Sequence, residues 1–215
     1  MPGTAMAVAT SPVAQAGGAG GGVVDWSTWF DHFYIAKGAA SLAASYADLV
    51  GSNTLVAGSA PSSDLTAGWI MNGTAYLRTN LLPAANWSAL VLYSDATAND
   101  VYLLGAVGTG TNDFRLVTRA FADALRWFYA NSNKTGAPNH TSGVMGLVGP
   151  TGYYNGVAQV SSIGTFTGTG DEIYLGAHNN GGTPNFAGTS KIQAVGFKAG
   201  LIADPAAASA AMLAL

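Results

Sequence analysis

The protein has 215 residues, of which 49% are hydrophobic, so a domain of this length can bury a sizeable core. Only 9% of the residues are charged, and 8 basic against 11 acidic residues give a net charge of −3, which excludes the basic surface of a nucleic-acid-binding protein. The sequence contains no cysteine, so disulfide frameworks and thiolate metal sites are excluded as well.

Residue types that commonly carry catalysis are scarce. Glu172 is the single glutamate, and the histidines are His32, His140 and His178. Paired carboxylates, a histidine-based triad or a histidine-rich metal site therefore have little to draw on. The composition predicts a protein that is not an enzyme, with no catalytic residues, no cofactor and no bound metal.

Residues 1–22 form a separate segment that is rich in Ala, Gly, Pro, Thr and Ser. Such a segment cannot by itself bury enough apolar surface to offset the entropy that is lost on ordering. It is typical of a flexible arm or of an arm that becomes ordered on a neighbouring subunit, and docking on a subunit is our expectation. It lacks the features of a signal peptide, and no apolar run approaches the roughly 20 residues that span a bilayer.

An aromatic segment follows the arm. Five aromatic residues stand within nine positions: Trp26, Trp29, Phe30, Phe33 and Tyr34. One interpretation is a strand or turn that covers the core. The other is a patch that docks on a partner, because tryptophan and tyrosine dominate interface hot spots.

Short apolar runs alternate with Gly, Asn, Asp and Pro from about residue 50 onwards, which is typical of short strands joined by tight turns. The candidate strands cover residues 54–57, 68–71, 75–78, 88–94, 101–107, 113–120, 125–130, 143–148, 153–154, 157–161, 172–177 and 191–198. Apolar and polar residues alternate clearly in 114–119, as in a strand with one buried face. Asn155-Gly156 predicts a hairpin turn.

Two helices are predicted. Asp204 fits the N-cap and Pro205 the first position of a C-terminal helix, and the Ala-rich run that follows has high helix propensity. A second helix is expected around residues 37–46.

Four stretches, in this order, resemble the laminin-G-like, concanavalin A-like jelly-roll superfamily: Asp48 to Leu55, Gly68 to Leu77, Gly152 to Val157, and Ile173 to Phe197. More narrowly, they resemble the LamG-type domains of bacteriophage virion proteins and bacterial surface proteins. The resemblance implies an all-β fold, a two-sheet antiparallel jelly-roll sandwich over residues 23–215. An extended N-terminal arm would precede the sandwich and a short C-terminal helix would end it.

The resemblance also bears on metal and catalytic sites. Some relatives bind calcium, but Asp95, Asp100 and Asp113 lie on separate predicted loops and do not form a ligand set. Other relatives are glycoside hydrolases, which need two carboxylates flanking the sugar bond. Asp171 and Glu172 are adjacent, so a strand would send their side chains to opposite faces, and a hydrolase is not expected.

Three arginines are candidates for ligand binding. Arg115, Arg119 and Arg126 fall within twelve residues on two neighbouring predicted strands, with Arg115 and Arg119 on one face. Because guanidinium groups pair well with planar anions, they would hold an acidic glycan or a carboxylate-bearing neighbour. The alternative is a solvated sheet face.

A polar loop is the second candidate for ligand binding. It contains His178, Asn179, Asn180 and Asn185, between two predicted strands at the rim of the sandwich. Asparagine amides offer both a donor and an acceptor to sugar hydroxyls, and loops of this kind carry binding sites. The alternative is an ordinary long turn.

The resemblance implies a non-enzymatic virion protein of a tailed phage, made in the host cytoplasm and decorating capsid or tail. It would dock on other virion proteins through residues 1–22, form part of an oligomeric assembly and present a lectin-like domain to host-surface glycans. Neither a nucleic acid nor a membrane is an expected partner. The alternative function is a bacterial surface or secreted carbohydrate-binding lectin.

Overall fold

Two β-sheets pack face to face in the computed structural model, which describes residues 24–108, 112–120, 124–138, 140–185 and 189–215. The predicted arm, residues 1–22, lies outside the described residues, so its docking stays a prediction. In chain order the strands are β1 (His32–Ile35), β2 (Val56–Ser59), β3 (Ser62–Asp64), β4 (Gly68–Asn72), β5 (Tyr76–Arg78), β6 (Ser88–Ser94), β7 (Val101–Val107), β8 (Asp113–Ala120), β9 (Ala124–Ala130), β10 (Ser132–Pro138), β11 (Gly143–Val148), β12 (Thr151–Tyr154), β13 (Val157–Val160), β14 (Tyr174–Leu175), β15 (His178–Asn180), β16 (Thr183–Asn185) and β17 (Thr189–Lys198). The α-helices are α1 (Leu42–Ser45) and α2 (Pro205–Leu213).

The first sheet runs in the order β13-β12-β11-β6-β17-β4-β3, with antiparallel neighbours throughout. Strand β1 pairs with the C-terminal half of β17, beyond the point where β4 leaves it. The second sheet runs β10-β9-β8-β7-β14-β5-β2. The hairpin β15–β16 extends this second sheet, and β15 lies parallel to the end of β7.

The main core lies between the two sheets. Its largest side chains come from both sheets, and they include Trp69, Tyr93, Phe114, Trp127 and Phe197. Each of these side chains is at most 1% exposed. Burying a large apolar side chain contributes about 1.5–3 kcal/mol to folding, so this interface is the main source of stability.

The outer face of the first sheet is also covered. Helix α2 packs Ala208 and Met212 against Leu90 and Val144, and the segment around Phe30 joins the same cluster. Strands β6 and β11 are consequently buried on both faces, and their sequences are almost continuously apolar. The outer face of the second sheet carries no such cover among the described residues, apart from a small cluster around Phe128.

The all-β two-sheet sandwich predicted from the sequence is confirmed, and so is the C-terminal helix. Asp204 caps α2 by accepting a hydrogen bond from the Ala207 N–H at 2.9 Å, with Pro205 in the first turn. Strands β6, β7, β8 and β11 have the predicted bounds. The helix expected around residues 37–46 is shorter, at Leu42–Ser45.

Four strands were not predicted as strands: β3, β10, β15 and β16. They consist largely of polar residues, Gly and Pro, and β3 and β10 are edge strands. Their backbones pair with a neighbour although their side chains show no apolar alternation. β1, by contrast, had been left open as a strand or a turn within the aromatic segment, and the first of these is correct.

Candidate functional site

An open cleft of about 580 Å³ lies at one end of the second sheet, on its outer side. Three pieces of chain form it: the end of β5, the segment that precedes β14, and the turn between β15 and β16. The described residues that line it are Arg78, Asn80, Leu82, Gly170, Asp171, Glu172, Tyr174, Asn179 and Gly182. Most of these carry hydrogen-bonding side chains, so the cleft is a polar surface with one exposed apolar residue, Leu82.

An ion pair fixes the wall between β5 and the segment before β14. Arg78 approaches one carboxylate oxygen of Glu172 with both Nε, at 2.7 Å, and Nη2, at 2.6 Å. The other oxygen of Glu172 accepts a hydrogen bond from the Asn80 N–H at 2.7 Å. The hydrogen bond to Glu172, together with its negative charge, also raises the pKa of Arg78.

A tight glycine turn forms the opposite wall. Gly181 and Gly182 connect β15 to β16 with φ of 59° and 87°, a two-residue hairpin turn that requires positive φ at both positions. The Gly181 N–H donates to the carboxylate of Asp171 at 3.0 Å, and the Gly182 N–H donates to the side-chain oxygen of Asn179 at 2.7 Å. These bonds hold the turn against the segment before β14.

Asn179 positions two of the walls. Its side-chain nitrogen donates to the main-chain oxygen of Glu172 at 3.0 Å, while its oxygen accepts from Gly182. Both ends of the amide are used inside the protein, and the residue is only 2% exposed. Asn179 is therefore a positioning residue, and the side chain of Asn80, which is exposed, is the amide available at the cleft surface.

Tyr174 forms the floor beside Tyr76. The two rings lie 4.9 Å apart, and the Tyr174 hydroxyl donates to the main-chain oxygen of Gly182 at 3.2 Å. Burial raises the pKa of Tyr174, and the negative charge of Glu172 raises it further. The phenol thus remains a neutral hydrogen-bonding group across the physiological range.

The predicted rim loop is a β-hairpin, which corrects the interpretation of this segment as a loop. His178 and Asn179 are buried, at 4% and 2% exposure, because β15 packs beside β7. Asn180 is exposed and Asn185 is half-buried opposite His178. Of these four candidates, the structure places Asn179 at the cleft, in a positioning role.

The predicted arginine group adjoins this hairpin. The Arg115 guanidinium lies 3.9 Å from the centre of the Phe128 ring and forms an ion pair with Asp113. The Arg126 guanidinium lies 4.7 Å from the same ring, so Arg115 on β8 and Arg126 on β9 both contact Phe128. Burial raises the pKa of Asp113 although Arg115 acts in the opposite direction.

Arg115 and the hairpin meet at Gly105. A Cβ atom at this glycine would lie 2.7 Å from both the Arg115 Cγ and the His178 Cβ, so only glycine lets the two side chains lie flat on β7. The His178 ring is 4.7 Å from the Tyr102 ring. Burial, with a smaller effect of the Arg115 charge, lowers the pKa of His178 to about 4. His178 is therefore neutral at pH 7.

Arg119 departs from the predicted alternation. It has a φ of 58° and lies in a break of register between Val117 and Ala120 in the β8–β9 pair. Such a bulge turns side chains away from the regular alternation. The prediction that Arg119 shares a face with Arg115 rested on regular alternation, and the bulge removes that basis.

The aromatic segment is largely built into the core, which corrects its interpretation as a docking patch for three of its five residues. Phe30, Phe33 and Tyr34 are at most 1% exposed, since β1 pairs with β17 and this segment covers the first sheet. Trp26 and Trp29 are half-buried, and Trp26 stacks on Phe33 with ring centres 4.0 Å apart. A partner has access to Trp26 and Trp29 alone.

Sequence reasoning missed most of the residues that line the cleft. Arg78 and Asn80 are far in sequence from Glu172, and their approach depends on the pairing of β5 with β14. Asp171 and Glu172 were noticed, but strand geometry was assumed for them. They precede β14 in an irregular segment and line the same cleft, which overturns the expectation that they point to opposite faces.

Within the described residues, no three or more His, Cys, Asp or Glu side chains gather as a metal ion would require. Asp95 pairs with Lys191 at 2.8 Å and Asp113 with Arg115. No helix in the same ranges is both long and apolar enough to cross a bilayer.

No protein-family model matches the sequence, and no curated protein has a matching sequence. The fold, however, is similar to solved structures. A mutant of Trypanosoma rangeli sialidase that displays trans-sialidase activity matches with a TM-score of 0.60 at 14% identity, over 88% of this chain and 33% of its own. The sialidase of the same organism in complex with 2,3-difluorosialic acid matches with a TM-score of 0.60 at 14% identity, over 92% of this chain and 35% of its own.

A separate domain matches over nearly its whole length. Domain 4 of AbnA, a GH43 extracellular arabinanase from Geobacillus stearothermophilus, in complex with arabinotriose, gives a TM-score of 0.56 at 15% identity. The match covers 84% of this chain and 98% of that domain, whereas this chain spans only about a third of the sialidases. At these identities the likeness establishes a shared fold.

These comparisons contradict the prediction that the protein is not an enzyme. The fold occurs in sialidases and in an arabinanase, which are enzymes. The argument from Asp171 and Glu172 fails as well, because both line one cleft. The chain therefore has the two-sheet sandwich fold that is found within carbohydrate-active enzymes.

Proposed function

We propose that this chain is a carbohydrate-binding module and that the cleft at the end of the second sheet binds the sugar. The observation that carries the proposal is the convergence of hydrogen-bonding side chains on one open surface: Arg78, Asn80, Asp171, Glu172 and Tyr174. Sugar hydroxyls both donate and accept hydrogen bonds, and the accessible members of this set offer amide, carboxylate and guanidinium groups, while Tyr174, at 3% exposure, forms the floor beneath them.

The shape of the cleft supports an oligosaccharide ligand. The cleft is open to solvent, so a sugar unit can bind there while the rest of its chain extends into solvent. Leu82, which is 57% exposed, adds an apolar contact for the C–H face of a sugar ring. The ion pair of Arg78 with Glu172 and the hydrogen bonds of Asn179 hold the walls before any ligand arrives, which lowers the ordering cost of binding.

The comparisons add support of a second kind. The arabinanase domain that matches this chain over 98% of its own length is in complex with arabinotriose. A domain of this size and fold can therefore bind an oligosaccharide. Arabinotriose is for this reason the first probe for the present chain.

The test is calorimetric titration of the full chain with arabinotriose, with Asn80→Gly as the diagnostic variant. Asn80 has a φ of 55°, which glycine adopts without strain, and its N–H to Glu172 stays in place, so only the side-chain amide is removed. Losing one or two hydrogen bonds to sugar should weaken binding about tenfold.

Asn86→Gly is the matched control, since Asn86 is exposed, has a φ of 62° and does not line the cleft. We expect this variant to bind as the unchanged protein does. If both variants bind arabinotriose with equal affinity, the cleft is not the sugar-binding site. If arabinotriose does not bind, a glycan array tests the class as a whole, and an array without binding contradicts the proposed function.

The virion role expected from the sequence stays a prediction. Neither the fold nor the comparisons bear on it, and the arm that would dock on other virion proteins lies outside the described residues. The narrower resemblance to LamG-type domains likewise stays a prediction. Binding of a glycan is common to the virion hypothesis and to the lectin alternative, and the cleft supports the lectin alternative directly.

A further inference from the structure

The cleft carries more negative than positive charge. Of the described residues that line it, the charged ones are Arg78, Asp171 and Glu172. Arg78 lies 2.6 Å and 2.7 Å from one carboxylate oxygen of Glu172 through two of its nitrogen atoms, so these two charges compensate each other. The negative charge of the Asp171 carboxylate is therefore the one that no cation among these lining residues compensates.

Asp171 has a main-chain donor and no cationic partner. Its carboxylate accepts a hydrogen bond from the Gly181 N–H at 3.0 Å, which fixes its position beside the cleft. None of the ion pairs formed by the described residues includes Asp171. A carboxylate that is half-exposed and held in place presents its negative charge to whatever enters the cleft.

Three other cations form ion pairs outside the cleft. Arg115 pairs with Asp113 and stacks on Phe128, and it does not line the cleft. Lys191 and Lys198 pair with Asp95 and Asp31, at 2.8 Å and 3.4 Å. The residues outside the described ranges contain neither Lys nor Arg. Their one charged side chain is the acidic side chain of Asp123.

The phenol on the cleft floor experiences the same imbalance. Apart from burial, the largest influence on Tyr174 is the negative charge of Glu172, which exceeds the opposing influence of Arg78, and Asp171 acts in the same direction as Glu172. Both acidic residues of the cleft therefore raise the pKa of this phenol.

We propose that the cleft binds neutral sugar chains more tightly than sugars that carry a carboxylate, with Asp171 as the residue that sets this selectivity. The proposal rests on the proposed function and names the ligand class of that site. A carboxylate about 4 Å from Asp171 would meet a repulsion on the order of 1 kcal/mol in a water-exposed setting, which corresponds to about fivefold in affinity. Neutral sugars meet no such repulsion, while the carboxylate can still accept hydrogen bonds from their hydroxyls.

The test uses a glycan array of matched pairs, each a neutral oligosaccharide and the same oligosaccharide carrying one uronic or sialic acid residue. We expect the acidic member of a bound pair to bind at least about fivefold more weakly than the neutral member at low ionic strength. Added salt should narrow the difference, because screening weakens the repulsion between exposed charges. Asp171→Asn should narrow it as well, since the amide oxygen can still accept the Gly181 N–H while the charge is gone.

Asp95→Asn is the matched control. It removes the same charge from an exposed residue just after β6 whose ion pair with Lys191 lies away from the cleft, and it should leave the selectivity unchanged. If acidic members bind as well as neutral ones, or if Asp171→Asn leaves the difference intact, the charge selectivity is overturned while glycan binding stands. An array without any binding contradicts the proposed function itself.

Discussion

The imidazole of His178 is buried between the Tyr102 ring and Arg115, and this environment disfavours its protonated form. Burial and the neighbouring guanidinium lower the pKa of His178 to about 4, whereas an unfolded chain would have a pKa near 6.5. Between these values the unfolded protein binds a proton that the folded protein does not. Above about pH 6.5 this residue therefore does not make the free energy of unfolding depend on pH. Below that value the free energy of unfolding falls as the pH decreases towards 4.

We expect His178→Asn to reduce this acid sensitivity. The unchanged protein should lose on the order of 3 kcal/mol of stability between pH 7 and pH 4 through this one residue, and the variant should not. Urea unfolding at several pH values measures the difference. The comparison concerns the pH dependence, not the absolute stability, which the variant also lowers through lost packing. A variant with the same pH dependence as the unchanged protein would show that the pKa of His178 is not lowered in the folded protein.

A buried carboxylate organises the loop after α1. Asp48 has a side chain that is 1% exposed, and one of its oxygens accepts the N–H groups of Phe33, Val50 and Gly51 at 3.0–3.1 Å. The other oxygen lies 2.6 Å from the His32 ring nitrogen. The loop is thus tied to β1 through a single side chain.

Asp48→Ala should lower the free energy of unfolding by about 3 kcal/mol, because three main-chain donors lose their shared acceptor together. Asp64→Ala is the control: Asp64 is exposed and bonds only its own turn, through Thr66 and its neighbours, so its loss should cost much less than that of Asp48. Thermal or urea unfolding measures both. Equal effects of the two substitutions would contradict the organising role of Asp48.

Single residues were predicted where the signal was local, and missed where it depended on distant pairing. The cap at Asp204 and the Asn155-Gly156 turn follow from neighbouring residues and were found as expected. The contact between Arg78 and Glu172 joins residues 94 positions apart, and only the sheet brings them together. The burial of His178 escaped notice because its strand, β15, has no apolar alternation.

The sequence predicts apolar strands better than polar ones. The central strands of both sheets were found because they are apolar, and β6 and β11 are apolar on both faces. Polar edge elements such as β3 and β10 were missed, since backbone pairing alone holds them in the sheets. The hairpin β15–β16 was taken for a loop for the same reason.

Helix α2 should contribute through its buried face. Met212 is fully buried against the first sheet, whereas its neighbour Leu213 is 47% exposed. We expect Met212→Ala to cost about 2–4 kcal/mol and Leu213→Ala less than about 1 kcal/mol, although both remove a large apolar side chain from the same helix. Urea unfolding measures both variants. Similar losses would indicate that α2 does not pack as described.

Two clusters of apolar side chains share the first sheet. One face of this sheet meets the second sheet, and the other meets α2 and the segment around Phe30. Because β6, β11 and β17 contribute to both clusters, neither cluster can be lost while the other stays intact.

The described domain is therefore expected to unfold in a single transition. Far-ultraviolet and near-ultraviolet circular dichroism should give the same urea midpoint, and Met212→Ala should shift both midpoints equally. Two separate midpoints, with the substitution affecting one of them, would show that the cover on the first sheet is an independent unit.

The two sheets differ in what they contribute to folding and to the cleft, and this difference has an evolutionary consequence. Both faces of the first sheet are needed for folding, whereas the outer face of the second sheet bears the cleft and contributes little to the main core. Substitutions such as those at Asn80 or Leu82 can accumulate there without loss of the fold. Descendants of one ancestral scaffold can in this way diverge in ligand preference while their overall architecture persists.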